Sequence, residues 1–306
     1  MAEMASNRWA VLAAGLIGAA GVGLAAAASH AGGEALLRPA STICLAHAPA
    51  LIALSLAAAF AAPAVAEEAA GPHTFTANVG VVSDYIFRGI SQSQHRPALQ
   101  GGVDYAHASG LYAGLWASQV NWTDRPDWTY QKNNHVEVDV YGGYKGTIGD
   151  VGFIRYFYPG DFRATVGGAP NVTANTSEVY VGATWNIVSL KYNHVVSQNI
   201  FGWGGTGANN KSEGSGYIDL TVTYPVNETV NVIAHVGRQN IKNTVETGLP
   251  ASYTDWKLGV TKDFGFGIVG VNYTDTNAKG AVGQAYRWDG KDVGKGVVSL
   301  SFLKNF

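Results

Sequence analysis

From Phe75 to the terminal Phe306, apolar residues return at every second position, and this period constrains the fold more than any other feature. Phe75, Ala77, Val79 and Val81 alternate with Thr74, Thr76, Asn78 and Gly80. At the far end Val298, Leu300, Phe302, Lys304 and Phe306 share one parity against Ser299, Ser301 and Asn305. A period of two belongs to a strand whose faces meet different surroundings. No stretch keeps an apolar stripe at the 3.6-residue helical period, so the chain reads as all-β.

About twelve strands can be placed, at 74–88, 97–107, 111–122, 134–145, 150–158, 176–185, 188–197, 215–224, 229–239, 253–262, 267–275 and 296–306. Each approximates the roughly 9 to 11 residues that a tilted strand needs to cross a bilayer. The connections alternate in length. Tight turns at 107–110, 145–149, 185–187, 225–228 and 262–266 alternate with longer segments at 123–133, 159–175, 198–214, 240–252 and 276–295. That alternation predicts a closed antiparallel up-and-down transmembrane β-barrel of about twelve strands, with short periplasmic turns, long external loops and both termini periplasmic.

Charge sorts with parity. The apolar set, which includes Val79, Val103, Trp116, Val140, Ile154, Val181, Leu190, Leu258 and Leu300, has no charged member at mid-strand. The opposite parity collects Asp84, Arg88, Asp104, Glu137, Asp139, Arg155, Glu178, Lys191, Asp219, His235, Asp255 and Lys257. Lys or Arg at a bilayer midplane costs about 2 to 4 kcal/mol, so these twelve are the candidate pore-lining residues. Seven carboxylates against four Lys or Arg favour cations weakly if a conduit is open. The same charges can instead pair in a network that closes the interior. Rings supply two expected interfacial belts: Tyr85, Phe87, Trp122, Tyr156 and Tyr158 toward the long loops, and Phe75, Tyr105, Tyr112, Tyr144, Trp185, Tyr224 and Phe306 toward the short turns.

Residues 1–66 read as a leader. Ala-rich apolar runs end in Ala64-Val65-Ala66, a small-x-small cleavage pattern, before Glu67 and Glu68, which leaves 67–306 as the barrel. Two apolar runs where one suffices suggest an over-extended start. The single cysteine, Cys44, lies in the leader, so the mature chain has no thiol for a disulfide or metal site. Only 14% of residues are charged, with a formal net charge of −2 and no Lys/Arg cluster, which argues against nucleic acid as a partner.

Other chemistry is weakly signalled. No His or carboxylate cluster has metal-ligand spacing and no cofactor motif is present; Gly202 to Gly207 is glycine-rich but has no helix after it. Asn121, Asn171 and Asn227 match a glycosylation pattern that reads here as polar strand ends. A hydrolase would need His194 to meet Ser83 or Ser118, and Ser118 and His194 fall on strands that are not neighbours, so the chain reads as no enzyme. A non-conducting surface scaffold or adhesin is a further rival. Asp275, Asp289 and Asp292 could meet divalent cations that bridge lipopolysaccharide.

The block from Phe75 to Ser118, with SDYIFRGISQS at its centre, resembles the opening of the TorF-type porin family of proteobacteria. YFYPGDF, SEVYVGATW and YTDWKLGV look like later pieces of the same family. The resemblance implies an outer-membrane barrel acting as a porin for small hydrophilic solutes or ions, with no functional residue set to carry over. The expected partners are outer-membrane lipid, lipopolysaccharide and the barrel-assembly machinery, the last reading a C-terminal strand signature at Phe302 and Phe306.

Overall fold

A computed structural model describes residues 71–123, 135–159, 173–204, 211–242 and 249–306. The leader with Cys44 and the cleavage residues Ala64 and Ala66, the Asn171 motif, and part of the Gly202 to Gly207 run lie outside the described residues. Twelve long strands carry the fold: β1 (His73–Val82), β2 (Ala98–His107), β3 (Leu111–Gln119), β4 (Val136–Lys145), β5 (Gly149–Phe157), β6 (Thr176–Trp185), β7 (Val188–Val195), β8 (Gly216–Pro225), β9 (Val230–Asn240), β10 (Tyr253–Asp263), β11 (Ile268–Thr276) and β12 (Val297–Asn305).

Each strand pairs antiparallel with its sequence neighbours, and β12 pairs with β1, so the sheet is a closed up-and-down barrel. Closure matters physically because it leaves no unpaired strand edge. The seam runs from Asn78 opposite Asn305 to Val82 opposite Ser301. It is finished by two backbone bonds, Phe306 N–H to the Ala77 carbonyl and Ala77 N–H to the Phe306 carbonyl.

The outer face is apolar, inverting the order of a soluble protein. Val81, Val103, Val140, Val181, Leu190, Leu258, Val271 and Leu300 are all exposed on it. At the short-turn end the ring belt is present: Phe75 is 76% exposed and Trp185 79%, alongside Tyr144, Tyr224, Phe264 and Phe266. Among the described residues no helix is long and apolar enough to cross a membrane, a criterion that does not bear on strands.

The belt expected at the long-loop end is corrected. Tyr85, Trp122, Tyr156 and Tyr158 are buried, and Phe87 packs against them. They join Ile90, Ile200, Trp203, Tyr253, Tyr286 and Trp288 in one apolar cluster under the long connections. Tyr192, Trp256 and Tyr273 point outward on this half instead. At the short-turn end Tyr112 also turns inward, where its hydroxyl donates to Asp150 at 2.7 Å. On β5 the inward residues are Asp150, Ile154 and Tyr156, which puts Ile154 inside and Arg155 outside, against the expected parity; Trp116 likewise faces in, 5.5 Å ring to ring from Tyr85.

Candidate functional site

The first strand stops at Val82, six residues short of the expected end, because residues 83–97 turn back into the barrel. Ile86–Phe87 and Ile90–Ser91 form a small hairpin whose turn is Arg88-Gly89, with φ of 47° and 78°. Two successive positive φ angles are the two-residue turn that suits the twist of a hairpin. An arginine is unusual there, and a non-glycine residue held in this region points to a purpose. A Cβ on Gly89 would overlap Asp255 and come within 2.6 Å of the Thr276 methyl, so only glycine lets the tip seat against β10 and β11.

Arg88 is the tip of that hairpin. Its guanidinium donates to both oxygens of Glu178, at 3.0 and 2.6 Å, and to the Gln239 carbonyl oxygen at 3.0 Å. It also lies 4.6 Å from the Tyr217 ring centre and 4.8 Å from that of Phe87. Arg88 and Glu178 are 6% and 0% exposed. A buried two-bond ion pair of this kind fixes geometry strongly, because removing either partner strands the other.

The base of the segment is tied down by Asp84, whose carboxylate accepts from the Ser91 and Ser93 hydroxyls at 2.5 and 3.0 Å. His95 Nδ1 lies 2.7 Å from the other Asp84 oxygen, and Nε2 lies 2.9 Å from the Asp292 carbonyl. Both ring nitrogens face acceptors, which only the imidazolium can satisfy with two N–H donors. The hydrogen bond to Asp84 accordingly raises the His95 pKa above its ordinary 6.5. Asp292 belongs to a second small hairpin, Arg287–Trp288 with Lys291–Asp292, turned at Asp289-Gly290. Ser91 N–H to the Val293 carbonyl and Lys291 Nζ to the Gln94 carbonyl complete the tie between the two segments. The Asp292 side chain accepts from Gly294 N–H and Asp275 from Thr276 N–H, so both carboxylates are engaged within the protein.

Below the hairpin tip lies a cavity of about 440 Å³, lined in part by Asp84, Arg88, Lys191, Asp219, His235, Asp255 and Lys257. Asp104, Glu137, Asp139 and Glu178 also face inward, outside the lining of this cavity, whereas Arg155 does not face inward. Arg155 is on the outer face, where it donates to the Ser177 hydroxyl at 2.7 Å. The charged residue missed was Asp150, the first residue of the expected strand, which the structure places second, after Gly149.

Four interior carboxylates are capped by tyrosines. Tyr141 donates to Asp104 at 2.5 Å, Tyr112 to Asp150 at 2.7 Å, and Tyr85 and Tyr158 to Glu137 at 2.7 and 2.5 Å. Tyr217 donates to Asp255, and His235 Nε2 lies 3.0 Å from the same carboxylate. A phenol hydrogen bond holds a buried acid without a counter-ion. Asp139 differs: one of its buried oxygens has no hydrogen-bond partner.

Ser118 and His194 face opposite sides of the sheet. Ser118 is buried inside and accepts from Gln100, while His194 points out beside Tyr192, and the exposed Ser83 hydroxyl accepts from Leu300 N–H at the seam. Among the described residues no group of three or more His, Cys, Asp or Glu is arranged to hold a metal ion.

The sequence pattern of a family described as a bacterial protein of unknown function (Gcw_chp) matches residues 66–306. The chain belongs to the Gcw_chp family. Comparison with curated proteins finds no match. Among solved structures, this Gcw_chp barrel is similar to the KdgM porin, at 6% identity and TM-score 0.42, covering 76% of this chain and 98% of that one. It is similar to an outer membrane channel from Pseudomonas putida F1, at 10% identity and TM-score 0.42, covering 80% and 99%. A mutant Rh. blastica porin aligns at 12% identity and TM-score 0.32 over 68% of this chain and 55% of its own.

Proposed function

We propose that this Gcw_chp protein is an outer-membrane diffusion channel for small hydrophilic solutes, narrowed by its own first long connection. One observation carries the reading: an exposed apolar outer face encloses a charged cavity of about 440 Å³. A soluble barrel would have those faces reversed. Twelve strands fall between eight-stranded barrels filled by side chains and sixteen-stranded ones with open channels. The 83–97 segment then decides how much of that lumen conducts.

In this orientation the long connections face the exterior and both termini the periplasm. The surrounding partners are phospholipid and lipopolysaccharide, and the assembly machinery engages β12 through Phe302 and Phe306. The TorF-type porin resemblance supports the same reading. So does the excess of carboxylates over bases inside, which favours a weak preference for cations in transit.

The test is single-channel recording of the refolded protein in a planar bilayer. Discrete conductance steps are expected, with a reversal potential in a salt gradient displaced toward cations. Persistent silence across applied voltages would overturn the reading in favour of a closed scaffold.

A further inference from the structure

Most charged or titratable groups of the cavity are used within the protein. Asp84 is held by Ser91, Ser93 and His95, Asp255 by Tyr217 and His235, and Arg88 by Glu178 and Gln239. Three charged groups are left over. Among the described residues neither the Lys191 nor the Lys257 ammonium has a hydrogen-bond acceptor or an ion-pair partner. Lys191 Nζ instead lies 3.7 Å above the Tyr180 ring, and a half-buried ammonium in that state has lost hydration without gaining an acceptor. Asp219, the cross-strand partner of Lys191, takes only a 3.4 Å contact from the Thr221 hydroxyl and stands 4.0 Å from His235 Nδ1.

Their placement is ordered. Lys191 is on β7, Asp219 on β8, His235 on β9 and Lys257, opposite His235, on β10. Lys257 is offset by two residues from the row that joins Lys191 to Asp219, so three strand steps of roughly 4.8 Å put the two lysine backbones about 16 Å apart along the wall, with the acid between them. A plain anion would meet Asp219 and a lumen rich in carboxylates. A plain cation, favoured by the lumen as a whole, would meet two ammonium groups without acceptors at this stretch of the wall. A molecule with both charges satisfies all three groups and is repelled by neither sign, and the cavity volume is within the range of small-ligand sites.

We propose that the cavity binds a small zwitterion of amino-acid size, its carboxylate on Lys191 and Lys257 and its ammonium on Asp219. This rests on the channel reading for its route of entry and names the solute class that the channel admits. The test is isothermal titration of the full barrel in detergent with three probes: L-serine, 3-hydroxypropionate (no ammonium) and ethanolamine (no carboxylate). L-serine is expected to bind at least tenfold more tightly than either of the others.

Lys191→Gln and Lys257→Gln should each weaken L-serine about tenfold or more, with Lys191→Arg restoring most of the loss. Asp219→Asn should remove the advantage of L-serine over 3-hydroxypropionate. Absence of L-serine binding, equal binding of 3-hydroxypropionate, or unchanged binding in the lysine variants would overturn the assignment. Because titration needs no current, a silent bilayer with intact L-serine binding would remove the channel reading alone. Conducting protein that ignores L-serine would remove this one alone.

Discussion

Replacing Arg88 by alanine tests whether residues 83–97 are a movable barrier. The substitution leaves the Glu178 carboxylate, 0% exposed, with only a 3.4 Å contact from the Tyr156 hydroxyl. An uncompensated buried charge of this kind costs about 3 to 5 kcal/mol. Against it stands what the hairpin would lose by leaving: the burial of Ile90 and Tyr85, each about 1.5 to 3 kcal/mol, and the hydrogen bonds of its base. The two burial terms alone, about 3 to 6 kcal/mol together, match that cost, and the hydrogen bonds of the base keep the closed form populated. At 1.4 kcal/mol per tenfold, the open-to-closed ratio should therefore rise by about two to three orders of magnitude while the barrel ladder stays intact. Single-channel recording should show larger or longer openings in Arg88→Ala than in the parent, with an unchanged heat-induced mobility shift in gels. Arg88→Ala/Glu178→Gln, which removes the stranded charge, should return most of the way to the closed behaviour. Identical conductance in all three proteins, or a barrel that melts early with no added conductance, would refute the reasoning.

Gly89→Val should act like Arg88→Ala, since its side chain would overlap Asp255 and crowd Thr276; recording that shows closed, parent-like channels would count against the tight seat. His95 sets a pH dependence. Its raised pKa means that the tie to Asp84 and Asp292 is complete below about 6.5 and is lost as pH rises through the raised value. Conductance should therefore increase from mildly acidic to alkaline pH and be flat in His95→Gln; a flat parent profile contradicts this. Leu258→Lys, on the exposed belt, should cost about 2 to 4 kcal/mol of folding stability in lipid, whereas Lys257→Leu should cost far less, as read by urea unfolding from vesicles. Deleting Phe306 removes two seam hydrogen bonds, a loss of about 1 to 3 kcal/mol, and should lower the yield of heat-modifiable barrel.

The strands were legible because two surroundings wrote two alphabets. Where Val138, Val140 and Tyr144 alternate with Glu137, Asp139 and Tyr141, parity and orientation agree. The run Phe153-Ile154-Arg155-Tyr156-Phe157 offers apolar residues on both parities because one face meets lipid and the other the apolar cluster under the loops, so the lone arginine misled. Tyr85-Ile86-Phe87 likewise reads as a continuing strand. Only the turn chemistry contradicts it: Gly89 after Arg88, and the Ser91, Ser93 hydroxyls spaced to reach back to Asp84. The pairing of Lys191 with an underused Asp219 depends on register and on which donors other acids have already taken, neither of which a linear sequence displays.

The first and last strands meet over Asn78 to Val82, while β1 follows β2 from His73 through Val82. Joining ends more than two hundred positions apart carries the largest loop-closure entropy in the molecule, and it does so across the shortest stitched edge. Zipping of adjacent hairpins can proceed early from either end, but the circle completes late and slowly. Aggregation-prone open sheets are therefore the species that a refolding mixture should accumulate first.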